Sequence, residues 1–315
     1  MTKVWRAFIY RWWEVTVIFD LIKARLVDYF KSPLFYIAVI VSLASGIYGG
    51  VYCSYFKDEV GAVISCSADD MWMLTAIWAV IVLVAMCAGR EFSDGTIRNK
   101  IAVGHTKANI FISEICVSSI ITFIMYLLDI VPTAIGGWYF ISEFPTSSAV
   151  KWFVNIFLAF ELMSIFAVVI TYLLAKRAVA VVGAFALHFV LYIIVGFTDG
   201  YYYSIGEPRY ITYTDTIICE DGTIKEEENE YENGYYIEGF SKTLIQIGHI
   251  ANPISGLEDA IHFGCISDKT KVEDYVLKQE TNRKRNLDID VIKMLAYCIA
   301  TSCAGAYLFG KKDLK

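Results

Sequence analysis

Six stretches of the chain, residues 34–56, 71–89, 110–132, 152–175, 178–198 and 289–309, are apolar over about 20 residues each, the length that crosses a bilayer as a helix. In lipid every backbone N–H and C=O must find its partner within the segment, so such runs become α-helices. The rest of the composition agrees. Of the 315 residues 57% are hydrophobic and 15% aromatic, mean hydropathy is +0.51, and only five prolines interrupt the apolar runs. Soluble chains carry about 45–50% apolar residues. The expected fold is an all-α polytopic membrane protein with six spans. The net charge of −6 is an average over two unlike compartments, and no nucleic-acid partner is expected.

Lys and Arg placement gives the orientation. With both termini on the cytoplasmic side of the plasma membrane, the inner segments hold Lys3, Arg6, Arg11, Lys23, Arg25 and Lys31, then Arg90, Arg98, Lys100 and Lys107, then Lys176-Arg177, then Lys311, Lys312 and Lys315. The first two outer loops hold Lys57 and Lys151 alone. Residues 1–33 are too often interrupted by charge for a signal peptide. Val4, Phe8, Trp12, Val15, Phe19, Ile22, Leu26 and Phe30 recur at helical spacing among cations, which predicts an amphipathic helix on the inner membrane surface; a soluble partner-binding helix is the alternative.

After the third span, Pro132 predicts a break and TAIGGWYFISEF an outer-surface elbow. Residues 199–288 read as a small α+β extracellular insertion before the last span. RYITYTDTII alternates like a strand, CEDG and Asn233-Gly234 are turns, and the run EEENEYE is acidic. Residues 244–266 are apolar, but Glu258, Asp259 and Asn252-Pro253 argue for two short helices at the outer mouth. A seventh span there would put the C-terminus outside. Of eight cysteines, Cys87, Cys116, Cys298 and Cys303 fall in or beside spans. Cys53, Cys66, Cys219 and Cys265 fall outside and could pair, most simply as Cys53–Cys66 and Cys219–Cys265, or stay free.

Ionisable residues inside spans face the bundle interior or a cavity. Glu161 and His188 lie near the middles of the fourth and fifth spans, which the Lys176-Arg177 turn makes an antiparallel hairpin. Counting from that turn sets Glu161 opposite Tyr192, with His188 one turn away. The three form a candidate intramembrane polar cluster, either a structural hydrogen bond or a polar point in a pathway. Asp129 lies near the outer end of the third span and is expected at the interface.

The polar stretch REFSDGTIRNKIAVGHTKANI, residues 90–110, joins the second and third spans. Ser93-Asp94-Gly95 reads as a turn, Thr96 as a helix cap, Ile97 to Val103 as a short helix, and Gly104 as its stop. Ile97 and Ile101 share one face, with Arg98 and Lys100 elsewhere, so the element would present an apolar and cationic knob. An acid (Glu91), then Gly95-Thr96, a short helix, Gly104 and Thr106-Lys107 entering the third span resembles the corresponding loop of type-2 ABC exporter permeases of Gram-positive bacteria. Six spans and Asn252-Pro253 before the last one also fit, and the 90-residue outer region departs from the minimal family plan. The resemblance implies that residues 90–109 are a coupling loop in which Glu91, Gly95, Thr96, Arg98 and Lys100 contact a separate ATP-binding subunit. It implies a second permease subunit, identical or not, and ATP with Mg on the partner; no cofactor is expected in this chain.

There is no G-x-x-x-x-G-K-[ST] and no H-E-x-x-H, so ATP hydrolysis and zinc proteolysis are not expected here. The expectation is a non-enzymatic membrane subunit exporting a substrate, with a hydrophobic or antimicrobial peptide favoured. A non-transporting receptor or immunity protein binding a peptide through the acidic outer region is the alternative. An intramembrane enzyme using Glu161 and His188 is a third reading.

Overall fold

The computed structural model describes residues 3–55, 62–136, 146–205, 208–218, 224–257 and 274–313. Nine helices and one hairpin are formed by these residues: α1 (Lys3–Phe30), α2 (Pro33–Tyr55), α3 (Ala62–Ser93), α4 (Thr96–Ala102), α5 (Lys107–Gly136), α6 (Thr146–Leu174), α7 (Arg177–Tyr203), β1 (Tyr210–Ile218), β2 (Ile224–Glu232), α8 (Gly239–Ala251) and α9 (Asp274–Lys311). Segments of α2, α3, α5, α6, α7 and α9 are long and apolar enough to cross a membrane. They coincide with the six runs read from the sequence, and the chain is a helical, multi-pass membrane protein. Two compact units make it up, residues 1–189 with 256–315, and residues 190–255.

In the first unit α2 lies against α5 and α3, α6 against α9, α3 and α5, and α1 against α5. Lipid tails are as apolar as the side chains, so burial alone does not hold such helices together and close packing must. The α2–α5 crossing shows how. A Cβ on Gly46 would stand 2.2 Å from the Asp129 carbonyl oxygen, and one on Gly50 2.4 Å from that of Pro132. A Cβ on Gly136 would come within 1.9 Å of the Gly50 carbonyl. The backbones therefore touch, and only glycine fits. The Thr133 hydroxyl lies 3.2 Å from the Gly46 carbonyl and 2.9 Å from that of Asp129.

Pro132 does not break the third span; it sits inside α5, which continues to Gly136. Its ring removes one hydrogen bond, and the α2 backbone at Gly50 packs against the Pro132 carbonyl. The rest of the predicted elbow, residues 137–145, lies outside the described residues. Asp129 is 0% exposed, in the α2–α5 contact beside Ser45.

At one end of the unit an aromatic box joins four helices. Tyr172 of α6 meets Phe309 of α9 at 4.8 Å, Phe92 of α3 at 5.1 Å and Phe111 of α5 at 5.3 Å, each edge-to-face. Lys312 donates to the carbonyls of Tyr172 and Leu173, at 3.0 and 2.8 Å. These are acceptors that the last turn of α6 leaves open, and a cation there also suits the helix dipole.

In the second unit β1 and β2 pair antiparallel, Tyr210 opposite Glu232 and Ile218 opposite Ile224. The acidic run is thus part of the second strand of the hairpin. Asn233 closes the turn after it, its Oδ1 accepting from Tyr235 N at 3.0 Å. Asn252 ends α8; its side chain donates to the Leu191 carbonyl at 2.8 Å and accepts from Ile254 N at 2.9 Å. Residues 258–273, where the second short helix was expected, lie outside the described residues. So do the side chains of Cys53, Cys66, Cys219 and Cys265, on which the pairing question rests. The other four cysteines are free thiols.

Candidate docking site at the turn between α3 and α5

Helix α4 exists because the chain reverses at Gly95. Gly95 adopts φ 69°, a left-handed conformation that costs a side-chain-bearing residue energy and glycine none. The Asp94 and Gly95 amides still bond back into α3, to Arg90 and Phe92, while the Gly95 carbonyl accepts from Arg98 N at 3.1 Å and starts α4. Thr96 does not cap the helix by accepting an N–H, as the sequence suggested. Gly95 occupies the cap position, and the Thr96 hydroxyl donates instead to the Glu91 carbonyl at 3.1 Å, pinning α4 to the end of α3. Gly104, at φ 105°, terminates the element. The Thr106 hydroxyl then accepts from Asn109 N at 3.1 Å as α5 begins.

Five residues were expected to form the contact surface, and the structure divides them. Arg98 is exposed. Gly95 and Thr96 shape the turn. Glu91 is buried, and Lys100 turns inward to bond its Oε1. The apolar pair also points inward, Ile97 fully buried and Ile101 half-buried. The outward edge of α4 is Arg98, Asn99, Ala102 and Val103, the last 81% exposed. The knob is therefore cationic at its start, at Arg98 as expected, and apolar at its end, where Val103 rather than Ile97 and Ile101 is exposed.

Beneath it lies a buried ionic network that the sequence reading missed. Arg25 of α1, 3% exposed, sends Nε and Nη2 to the two carboxylate oxygens of Glu114 of α5, at 2.7 and 2.9 Å. Its Nη2 also reaches the Cys87 carbonyl of α3 at 3.4 Å. Arg25 Nε lies 3.4 Å from Glu91 Oε1, the atom that Lys100 bonds. The Tyr29 hydroxyl donates to Glu114 Oε1 at 2.8 Å. Burial opposes charge on Arg25, but the Glu114 carboxylate, its hydrogen bonds and then Glu91 outweigh it and hold the guanidinium above its ordinary value. Burial, and then the Glu114 carboxylate, push the Tyr29 phenol well above its ordinary range, so it stays a neutral donor. Removing one member of such a buried pair leaves its partner uncompensated, at a cost of about 3–5 kcal/mol.

Leu21, Arg25 and Tyr29, four apart, are the buried stripe of α1, while Phe19, Val27 and Phe30 are exposed. The sequence places Arg25 only among the inner-side cations of an interfacial amphipathic helix. The available cue was Glu114, a carboxylate seven residues into a span, which needs a partner by the same rule that singled out Glu161.

Glu161 and His188, two members of the expected polar cluster, meet different partners. Glu161 is buried and turns to α5, where the Ser119 hydroxyl donates to its Oε1. His188 Nδ1 lies 3.3 Å from Met163 Sδ, with Trp78 edge-on at 6.5 Å. Met163 is two residues from Glu161, about 200° around the same helix. Glu161 and His188 therefore belong to opposite sides of α6. Tyr192 lies one turn beyond His188 along α7, in the second unit. No group of three metal-ligating side chains occurs among the described residues. Compared with known protein families and with curated proteins, the chain matches none.

Proposed function

We propose that this chain is the membrane-spanning permease subunit of an ATP-driven ABC exporter, and that α4 docks onto a separate ATP-binding subunit. One observation carries the reading. A seven-residue helix between two spans is fastened on its inward face by Glu91, Lys100, Thr96 and Ile97, while its outward edge offers Arg98, Asn99 and Val103. A loop that only joined two spans would need neither the left-handed glycine nor the buried ion pair. A rigid knob can transmit force; a flexible loop absorbs it.

In this reading both termini and α4 face the cytoplasm, α1 lies at the membrane surface with Phe19, Val27 and Phe30 toward lipid, and the hairpin with α8 stands outside. A dimer of permeases encloses the path, and a hydrophobic or cationic peptide suits the acidic β2 strand as substrate. ATP and Mg belong to the partner.

The test is co-purification from the native host in mild detergent, followed by ATP hydrolysis measured on the complex. The wild type is expected to bring down a P-loop ATPase. Arg98→Glu with Val103→Asp, both on the exposed edge, should reduce its recovery about tenfold or more, since a desolvated charge mismatch costs several kcal/mol. Equal recovery with the double variant would remove the docking role of α4.

A further inference from the structure

We propose that Arg25 is a positioning residue that lets the N-terminal helix α1 set the placement of α4, so that α1 and the docking knob move as one body. This extends the permease reading by naming a second element that controls the knob. The geometry is a relay through one atom. Glu91 Oε1 is shared by Lys100 on α4 and Arg25 on α1, while the same guanidinium is locked to Glu114 on α5 and to the Cys87 carbonyl on α3.

Alternatives within the network are less apt. Lys100 by itself would balance Glu91, so Arg25 is not needed there for charge. Glu114 by itself would balance Arg25. The 3.4 Å approach of Arg25 Nε to Glu91 makes four helices depend on one side chain. The guanidinium's planar fork meets two buried carboxylates and a carbonyl at once, with exposed Asp28 at 3.6 Å from its remaining nitrogen, which a single ammonium cannot do. Loss of Arg25 leaves α4 attached to α3 through Lys100 and Thr96 but no longer to α1.

The experiment is hydrogen exchange of the full chain in lipid nanodiscs, read at the amides of residues 98–104 and separately over α5. Arg25→Met with Glu114→Leu removes the strong pair together, so no charge is stranded, and leaves the Glu91–Lys100 bond. We expect α4 amides to exchange about tenfold faster, with α5 protection retained, because opening of a local unit tracks the bonds that hold that unit. Lys100→Met should give the same α4 effect without touching α1. If the double variant does not accumulate, Arg25→Lys, which keeps the charge but loses the fork, is read in the same way and with the same expectation. Unchanged exchange of α4 in the variant that folds would overturn the proposal. The readout needs no ATPase. Absence of an ATPase partner would therefore fail the permease reading alone, and unchanged exchange would fail the Arg25 relay alone.

Discussion

Gly95 is the residue on which the shape of the loop turns. A Cβ there would meet nothing within 4 Å, so strain at φ 69° rather than collision decides a substitution. Gly95→Ala should cost about 1–2 kcal/mol of local stability, and Gly95→Asn less, since asparagine tolerates the left-handed region. Limited proteolysis at residues 93–104 checks this, with alanine cleaved faster than asparagine. Glu161 is a second residue with a definite expectation. Its partner Ser119 has another acceptor, the Ile115 carbonyl at 2.9 Å, so Ser119 is not orphaned when the carboxylate goes. Glu161→Leu should then fold in normal yield by size-exclusion, because a buried carboxyl is exchanged for an apolar group of similar size. A collapse in yield would show that Glu161 is structural. At this scale the sequence was least legible. Ser93-Asp94-Gly95 was legible as a turn, and Glu91 entered only through the family resemblance, but which side of α4 Lys100 and Ile97 face depends on what lies beneath, and Arg25 and Tyr29 come from a helix some 70 positions away.

Element by element, far more could be read, because the spans announce themselves by length and hydropathy. All six spans begin and end within a few residues of the apolar runs. Helices α3 and α9 begin upstream of theirs, where Asp69-Asp70 and the charged segment near Arg283 lower hydropathy without stopping a helix. Pro132 misled for a physical reason: in a packed span its missing hydrogen bond is sheltered by a neighbouring backbone. The same contact yields a prediction. Gly50→Ala must push α2 from α5, costing about 1–3 kcal/mol. Gly196→Ala in α7 has open space and should be neutral. Thermal melts of the two variants in detergent should separate clearly, with Gly50→Ala melting well below the wild type; equal melting would contradict the close crossing.

At the scale of the whole molecule, a helical, multi-pass chain carries a short fastened helix between its second and third spans, for which an ATPase is the proposed partner. The claim has two separable halves, sidedness and contact. The proposed sidedness, with α4 on the cytoplasmic side, predicts that a cysteine at Asn99 reacts with impermeant maleimide in inside-out vesicles and not in intact cells. Contact is tested most directly by placing a photo-crosslinking amino acid at Val103, the most exposed apolar residue beside α4, in the native host. Irradiation is expected to join the chain to one protein, which peptide mass spectrometry identifies by its G-x-x-x-x-G-K-[ST] segment. A crosslink to lipid alone, or to a protein without that segment, would contradict the account.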